Sequence, residues 1–153
     1  MKLINAVNIP VLVVQKRGFA IGYKNIVFPV NTSTEYQAKI NWTIFIAKSF
    51  NATVRLFVYN ESRPKVRDKM ETVLVNIRNS FLAHDIPFTE EVAQHESDFP
   101  NQIMEFAISN SAQLIMIKVD SDEFEPSFIV ASLEEKMLFN SAQIPVFCAQ
   151  QKL

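Results

Sequence analysis

Glycine is nearly missing from this sequence. The chain has 153 residues and two glycines, Gly18 and Gly22, so none occurs from Tyr23 to Leu153. Loops that cradle phosphate groups need glycine, both for backbone conformations with positive φ and for close approach of the backbone to the ligand. The sequence therefore excludes an ordinary glycine-rich phosphate loop over nearly the whole chain.

Three further scarcities each exclude a class of protein. The single cysteine, Cys148, excludes an internal disulfide and a cysteine-based metal cluster. A formal net charge of −1 provides no basic surface for nucleic acid. No apolar run reaches the ~18 residues of a membrane span, and Asn5, Asn8 and Pro10 interrupt the apolar segment near the start, which also lacks a signal-peptide cleavage site. We therefore expect a cytoplasmic protein with no nucleic-acid partner and no membrane segment.

Apolar residues are abundant, and they follow strand and helix patterns in alternation. Hydrophobic residues make up 48% of the chain. Apolar runs predict buried strands at 25–30, 53–59, 113–119 and 144–149, and a less buried strand at 86–92. Helices are expected after Asn31–Thr34 and after Ser62, whose side chains are expected to cap them, and also from Asp98 and near 132–140. Such alternation indicates βαβ crossovers and a mainly parallel sheet.

Helical spacing also predicts which side chains of the first two helices face the core. In each helix the expected inward positions recur three or four residues apart. They are Ala38, Trp42, Phe45, Ile46 and Ser49 in the first helix, and Val66, Met70, Val73, Ile77 and Phe81 in the second.

One segment of the sequence occurs twice. Leu3–Gln15 aligns without a gap with Leu138–Gln150, and six of the thirteen positions are identical. The two segments lie about one domain length apart. We expect residues 1–16 to be the last strand of a preceding copy, residues 17–24 to be a linker and residues 25–153 to be the domain itself. The alternative is a chance likeness between two Ile-Pro-Val strands.

Three stretches resemble sequences of the universal stress protein superfamily. Ile26–Ser33 (IVFPVNTS) is similar to the opening strand and loop of that family, I-L-V-P-V-D-G-S. Ala112–Ile117 (AQLIMI) is similar to its A-D-L-I-V-M strand. Ala131–Leu138 (ASLEEKML), followed by Ala142–Val146 (AQIPV), resembles its G-S-V-A-E-K-V-L…C-P-V-L-V-V ending. The order and spacing of the three stretches carry the resemblance over essentially the whole chain from Ile26 onward.

The resemblance implies a Rossmann-like α/β fold, with a five-stranded parallel sheet in the order 3-2-1-4-5 and helices on both faces. Its ligand crevice would lie between the first and fourth strands, where the strand order reverses. Members of the family that bind ATP carry G-x2-G-x9-G-[S/T] there, and Asn31 corresponds to their adenine-side aspartate. In this chain the pattern falls on Lys118, Ser121, Ala131 and Ser132. Its spacing is intact, and the first three of these residues replace its three glycines.

These substitutions predict a vestigial, non-binding nucleotide site without cofactor or metal. Side chains replace the glycines where backbone amides would face phosphate, and four carboxylates of the same loop would repel a polyphosphate. Ser132 could still contact a phosphate, or it could form a capping box with Glu135. Asp120, Asp122 and Glu125 could bind a divalent cation, although a solvated acidic turn is the simpler interpretation. His84 and His95 are expected at the surface, and Cys148 is expected to be a buried thiol.

The leading functional hypothesis is a non-enzymatic universal stress protein domain that acts in the stress response as a dimerising regulatory or protein-interaction module. Family dimers pair their last strands, which here implies Val146, Phe147 and Cys148. Ile9–Val14 could supply a neighbouring strand, so we expect a homodimer or a tandem pseudo-dimer. One alternative is a sensor of a nucleotide or another small molecule that uses Asn31, Lys118 and Ser132. Another is a weak ATPase.

Overall fold

The computed structural model describes residues 9–16, 22–33, 36–119 and 140–150. The predicted helix near 132–140 and the acidic loop with Asp120, Asp122 and Glu125 lie almost wholly outside these residues. Among the helices that are described, none is long and apolar enough to cross a membrane. The described elements, in chain order, are β1 (Val11–Val13), β2 (Asn25–Val30), α1 (Gln37–Phe50), β3 (Thr53–Val58), α2 (Pro64–Ala83), β4 (Phe88–Val92), α3 (Phe99–Ser109), β5 (Leu114–Val119) and β6 (Val146–Gln150).

The strands form a single sheet in the order β1-β6-β5-β2-β3-β4. From β4 to β6 the neighbouring strands are parallel, and they follow the predicted order 3-2-1-4-5 when β2 is counted first. The prediction of five strands is one short. The sixth strand is β1, which pairs antiparallel with β6 and lies in the segment Ile9–Val14 that was expected to supply a neighbouring strand.

Two apolar cores cover the two faces of this sheet, as predicted for helices on both faces. Successive residues of a strand point to opposite faces. Ile26, Phe28 and Val30 pack with buried residues of α1 and α2. Val27 and Ile115 pack instead with buried residues of α3.

The inward face of α1 differs from the prediction. Phe45 is 62% exposed and Ser49 is also exposed, whereas Ile46 is buried as predicted. The buried face of α1 is shifted by about one residue from the predicted face. The prediction considered apolar residues, whereas the buried face also includes a lysine and a threonine. Its buried members are Lys39, Ile40, Thr43, Ile44, Ile46 and Ala47. In α2 the predicted stripe is confirmed from Met70 to Phe81, and Val66 is only partly buried.

The predicted capping side chains of two helices are wrong. The N-cap of α1 is Tyr36 and that of α2 is Arg63, and neither forms a side-chain capping hydrogen bond. Pro64 does occupy the first turn of α2, where its missing N–H costs nothing. Strand β4 is exposed along most of its length, as predicted, but it starts at Phe88 instead of Ile86. His84 and His95 are exposed, as predicted.

Residues other than glycine form most of the described left-handed turns. Gly22, in the predicted linker, has a φ of 83°, and an added Cβ would lie 3.0 Å from Cδ1 of Phe50, so this position needs glycine. Polar residues tolerate the left-handed region best among the others. The described non-glycine residues with positive φ are Asn51, Asp85, Asp98, Ser111 and Gln143.

Replacement of Phe81 by alanine is expected to destabilise the domain strongly. The ring of Phe81 is fully buried and lies 5.9 Å from Phe28 and 5.8 Å from Phe88, centroid to centroid. Its removal should lower the free energy of unfolding by about 3–5 kcal/mol, measured by urea denaturation. Leu82→Ala is the matched control, since Leu82 is 65% exposed and its change should stay within ~0.5 kcal/mol. Equal losses in the two variants would contradict this assignment of the core.

Candidate functional site

The pairing of β2 with β5 stops before the carboxyl ends of these strands, and we call the region beyond it the crevice. The register between these strands ends at Val27–Ile115, whereas β2 continues its register with β3 to Val30–Val58. Pro29 explains the difference, because it has no N–H with which to extend the ladder towards β5. The strand order reverses between β2 and β5, and open α/β sheets bind ligands at such a switch point.

Lys39 of α1 fills the floor of this crevice. Its side chain is buried, and its Nζ donates a hydrogen bond of 2.6 Å to the carbonyl oxygen of Pro29. The same nitrogen lies 4.0 Å from the ring centroid of Phe28 and 5.3 Å from that of Tyr36. Burial lowers the pKa of the Lys39 amine well below its usual value, and the positive charge of Lys118 lowers this pKa further.

Asn31 directly follows β2 and lies at the mouth of the crevice. Its Oδ1 accepts hydrogen bonds from the hydroxyl of Tyr36 at 2.6 Å and from the backbone N–H of Ser33 at 3.0 Å. Its own N–H donates to the Tyr36 hydroxyl at 2.7 Å. The side chain that was expected to cap α1 therefore closes a local turn instead.

Lys118 is the other predicted site residue that the structure places in the crevice. It lies on β5, and its Nζ is 3.4 Å from Oγ of Ser33, across the gap that Pro29 opens. Asn31 and Lys118 are thus brought together at the carboxyl ends of β2 and β5. The remaining predicted site residues, Ser121, Ala131 and Ser132, lie outside the described residues, and so does the choice between a capping box and a phosphate contact at Ser132.

The sequence reasoning missed Tyr36 and Lys39, the two side chains that fill the crevice. A signal for them exists in the spacing of the helix. Tyr36, Ile40, Thr43 and Ala47 recur three or four residues apart, and Lys39 shares the face of Thr43. A lysine on an otherwise buried face marks a position where an amine replaces apolar packing.

A second polar contact lies on the same edge of the sheet, just beyond the end of β3. The side chain of Glu61 is almost inaccessible to solvent, and it accepts hydrogen bonds from the backbone N–H of Arg63 at 2.9 Å and from its Nε at 2.8 Å. A further bond of 2.8 Å joins the guanidinium NH2 of Arg63 to Oε2 of Glu61. These bonds hold the pKa of the Glu61 carboxyl down, from 4.5 to about 2.

The predicted dimer strand, Val146–Cys148, lies on β6 and pairs with β1 of the same chain. A homodimer that pairs two β6 strands would need this edge of β6 to be free. Cys148 is a buried thiol in the core under α3, as predicted. Among the described residues, no cluster of acidic, histidine or cysteine side chains is placed to hold a metal ion.

Comparison with known proteins identifies the fold. No protein-family model matches the chain, and no curated protein matches it. Solved structures do match. A universal stress protein from Archaeoglobus fulgidus DSM 4304 is 14% identical, with a TM-score of 0.72 over 95% of this chain and 50% of that one. The chain therefore spans about half the length of that protein.

Two other similar structures contain nucleotides. A universal stress protein from Archaeoglobus fulgidus in complex with dAMP is 15% identical, with a TM-score of 0.64 over 83% of this chain and 98% of that one. A universal stress protein in complex with cAMP is 16% identical, with a TM-score of 0.61 over 86% of this chain and 99% of that one. The chain thus has the fold of the universal stress proteins, as the sequence resemblance implied.

Replacement of Lys39 by methionine is expected to flatten part of the pH dependence of stability. Because the pKa of Lys39 is lowered in the folded state, the unfolded state binds the additional proton, and stability rises with pH from the lowered pKa up to about 10.4. Lys39→Met should therefore gain stability relative to wild type at pH 7, and this gain should shrink by pH 10. Urea denaturation at both pH values measures the difference.

The control for this experiment is Lys48→Met, which removes an exposed lysine from the same helix. It separates burial of the amine from the loss of one positive charge. A gain of Lys39→Met that stays constant between pH 7 and pH 10 would show that Lys39 is not held with a lowered pKa.

Glu61 is expected to make the domain sensitive to acid. Its pKa is lowered in the folded state, so its contribution to stability is complete above the unfolded value of about 4.3 and is lost as the pH falls towards about 2. Glu61→Gln should therefore lose less stability than wild type between pH 6 and pH 3, as measured by urea denaturation. Exposed Glu91→Gln is the control, and parallel pH profiles of wild type and Glu61→Gln would contradict the role of Arg63.

Proposed function

We propose that this chain is a universal stress protein domain that acts as a non-enzymatic regulatory and interaction module and does not bind ATP. One observation carries the proposal: side chains of this chain already occupy hydrogen-bonding groups of the crevice at the switch point. Lys39 occupies its floor, and Tyr36 engages Asn31 at its mouth. A nucleotide entering there would have to displace these contacts.

The electrostatics of the crevice support the same proposal. A phosphate ligand needs amide or cationic donors that are oriented towards it. The Lys39 amine already donates to Pro29, and its lowered pKa weakens its capacity to carry a compensating charge. The motif positions Lys118, Ser121 and Ala131 lack the glycines that would present backbone amides. We also propose a cytoplasmic location, in which a single thiol such as Cys148 stays reduced.

A second candidate function is a sensor that binds a small nucleotide in the altered crevice. The observation that favours it is the pair of amines, Lys39 and Lys118, on either side of the gap between β2 and β5. Beside the effect of burial, the charge of Lys118 lowers the pKa of Lys39, and an anion near both amines would relieve this repulsion. The dAMP and cAMP complexes show that proteins of this fold hold nucleotides.

Calorimetry on the purified chain is expected to show no saturable binding of ATP, ADP, AMP, dAMP or cAMP at micromolar concentrations. The physical reason is that Tyr36, Lys39 and Asn31 already use the donors and acceptors of the crevice. A parallel assay should show no release of phosphate from ATP above a blank. The matched variants are Lys118→Ala, which removes a lysine from the crevice, and Lys24→Ala, which removes a lysine at the opposite end of the strands.

The two candidates differ sharply in this experiment. Micromolar binding that is lost in Lys118→Ala and kept in Lys24→Ala would replace the leading proposal with the sensor. Steady ATP turnover that Ser132→Ala abolishes would instead establish an ATPase. Absence of binding in all three proteins supports the interaction module.

A further inference from the structure

A cavity of about 340 Å³ lies at the end of the sheet opposite to the crevice. Four parts of the chain form its walls: the residues that follow β1, those that precede β2, the end of α3 with its connection to β5, and the turn before β6. These parts meet at the amino ends of the parallel strands. The volume is in the range of small-molecule sites, which are concave, largely apolar and mostly formed before the ligand arrives.

Hydrogen bonds within the chain hold the walls of this cavity in place. The N–H of Ala112 donates to the carbonyl oxygen of Ala107 at 2.8 Å and so fixes the connection between α3 and β5. Asn140 is buried and braces the turn before β6. Its Nδ2 donates to the carbonyl oxygen of Ile144 at 2.9 Å, and its Oδ1 accepts from the N–H of Ile144 at 2.8 Å. The fold itself therefore shapes the cavity, and no ligand is needed to form it.

The lining of the cavity is uncharged and mainly apolar. None of the described residues that line it is acidic, basic or a histidine. Ala107, Ala112 and Ile144 are buried in its wall, whereas Ile108 and Val14 also line it and remain 54% and 45% exposed. Burial of a charged ligand without a counter-charge is costly, while covering exposed apolar side chains is favourable. The lining therefore suits a neutral ligand with an apolar body.

Three polar side chains of the lining offer hydrogen-bonding groups to such a ligand. The Oε1 of Gln113 accepts from the backbone N–H groups of Lys24 and Asn25, which orients the amide and leaves its Nε2 as a donor. In the part of the chain that the structure describes, no hydrogen bond joins this Nε2, the hydroxyl of Ser111 or the side-chain amide of Gln143 to another residue. A carbonyl oxygen on the ligand would satisfy such donors.

Tyr23 adds an aromatic ring to the wall of the cavity. The ring packs edge-on against Phe50, with 5.1 Å between the centroids, and is partly buried. Aromatic rings pair favourably with other rings, by stacking or by edge-to-face contact. A ring whose position is already fixed makes this contact without further loss of conformational freedom.

We propose that this cavity binds a neutral aromatic small molecule that carries a carbonyl or amide group. The site is separate from the crevice, because β5 has Gln113 at its amino end and Lys118 near its carboxyl end, with most of the six-residue strand between them. The proposal goes beyond the interaction module proposed above and holds whether or not the crevice takes a nucleotide. A ligand in the cavity would give that module a chemical signal without the use of the crevice.

Titration with 2-naphthamide, followed by the amide ¹H–¹⁵N spectrum of the purified chain, tests the proposal. We expect saturable binding with a dissociation constant of about 1 mM or lower, in the range for a ligand of this size. The largest shifts should lie at 107–113 and 142–145, which line the cavity. The charged isostere 2-naphthoate should bind at least tenfold more weakly, because the lining offers no counter-charge.

Two pairs of variants assign the binding to the lining. Ile108→Ser removes an exposed apolar side chain of the cavity and should weaken 2-naphthamide about tenfold. Leu82→Ser is its control, since Leu82 is 65% exposed on α2 and does not line the cavity. Gln113→Glu keeps the acceptor for the two backbone N–H groups but replaces the Nε2 donor by a carboxylate oxygen, so it should also weaken binding at least tenfold. Exposed Gln37→Glu on α1 is the matched control and should change nothing.

Four results would overturn the proposal: no saturable binding of 2-naphthamide, equal affinity for 2-naphthoate, shifts centred on the carboxyl ends of β2 and β5, or equal weakening by a cavity variant and its control. Each of these results concerns the cavity at the amino ends of the strands. Nucleotide titrations of the same samples report on the crevice, so failure of this proposal is distinguished from failure of the proposed function.

Discussion

The missing backbone N–H of Pro29 is the constraint on which the rest of the site depends. A central parallel strand normally donates to both neighbours, and Pro29 cannot donate to β5. The ladder therefore stops at Val27–Ile115 while the pairing with β3 continues. The freed Pro29 carbonyl needs a donor in a buried place, and the Lys39 amine supplies one at 2.6 Å. One proline thus both opens the crevice and creates the acceptor that helps to fill it.

Filling the crevice has consequences for stability. Burial of an amine is costly, and here a single carbonyl and two aromatic rings compensate for the water that Lys39 loses. An apolar residue at the same place would pack without that cost but would leave the Pro29 carbonyl unpaired. Glu61, which lies at the same end of the strands, is a contrasting case. Because Arg63 provides its carboxylate with charged donors, the charged form of Glu61 is stabilised. Glu61 therefore makes stability depend on pH in the acidic range, and Lys39 does so towards alkaline pH.

Periodicity predicted the sheet well and the site poorly. The strand positions and the core residues from Met70 to Phe81 follow from apolar patterns, because burial of apolar side chains dominates folding. The strand order was implied by the family resemblance. The apolar pattern alone did not reveal the role of Lys39, since its burial depends on the Pro29 carbonyl that β2 contributes. The predicted inward face of α1 was wrong at Phe45, because this residue fits an apolar stripe equally well and yet faces outward. Asn31 and Lys118 were located through the family resemblance, whereas their partners Tyr36 and Ser33 depend on the geometry of the turn.

The scarcity of glycine is compensated by polar residues at the turns of this chain. Most described left-handed turns use asparagine, aspartate, serine or glutamine, so Gly22 remains where the backbone passes Phe50 at close range. That position lies between β1 and β2, where the chain crosses from the edge of the sheet to its centre. Strand β1 pairs with β6 at that edge in an antiparallel register. Glycine is therefore kept at the described position where a side chain would meet Phe50, while polar residues serve at described turns that need only a positive φ.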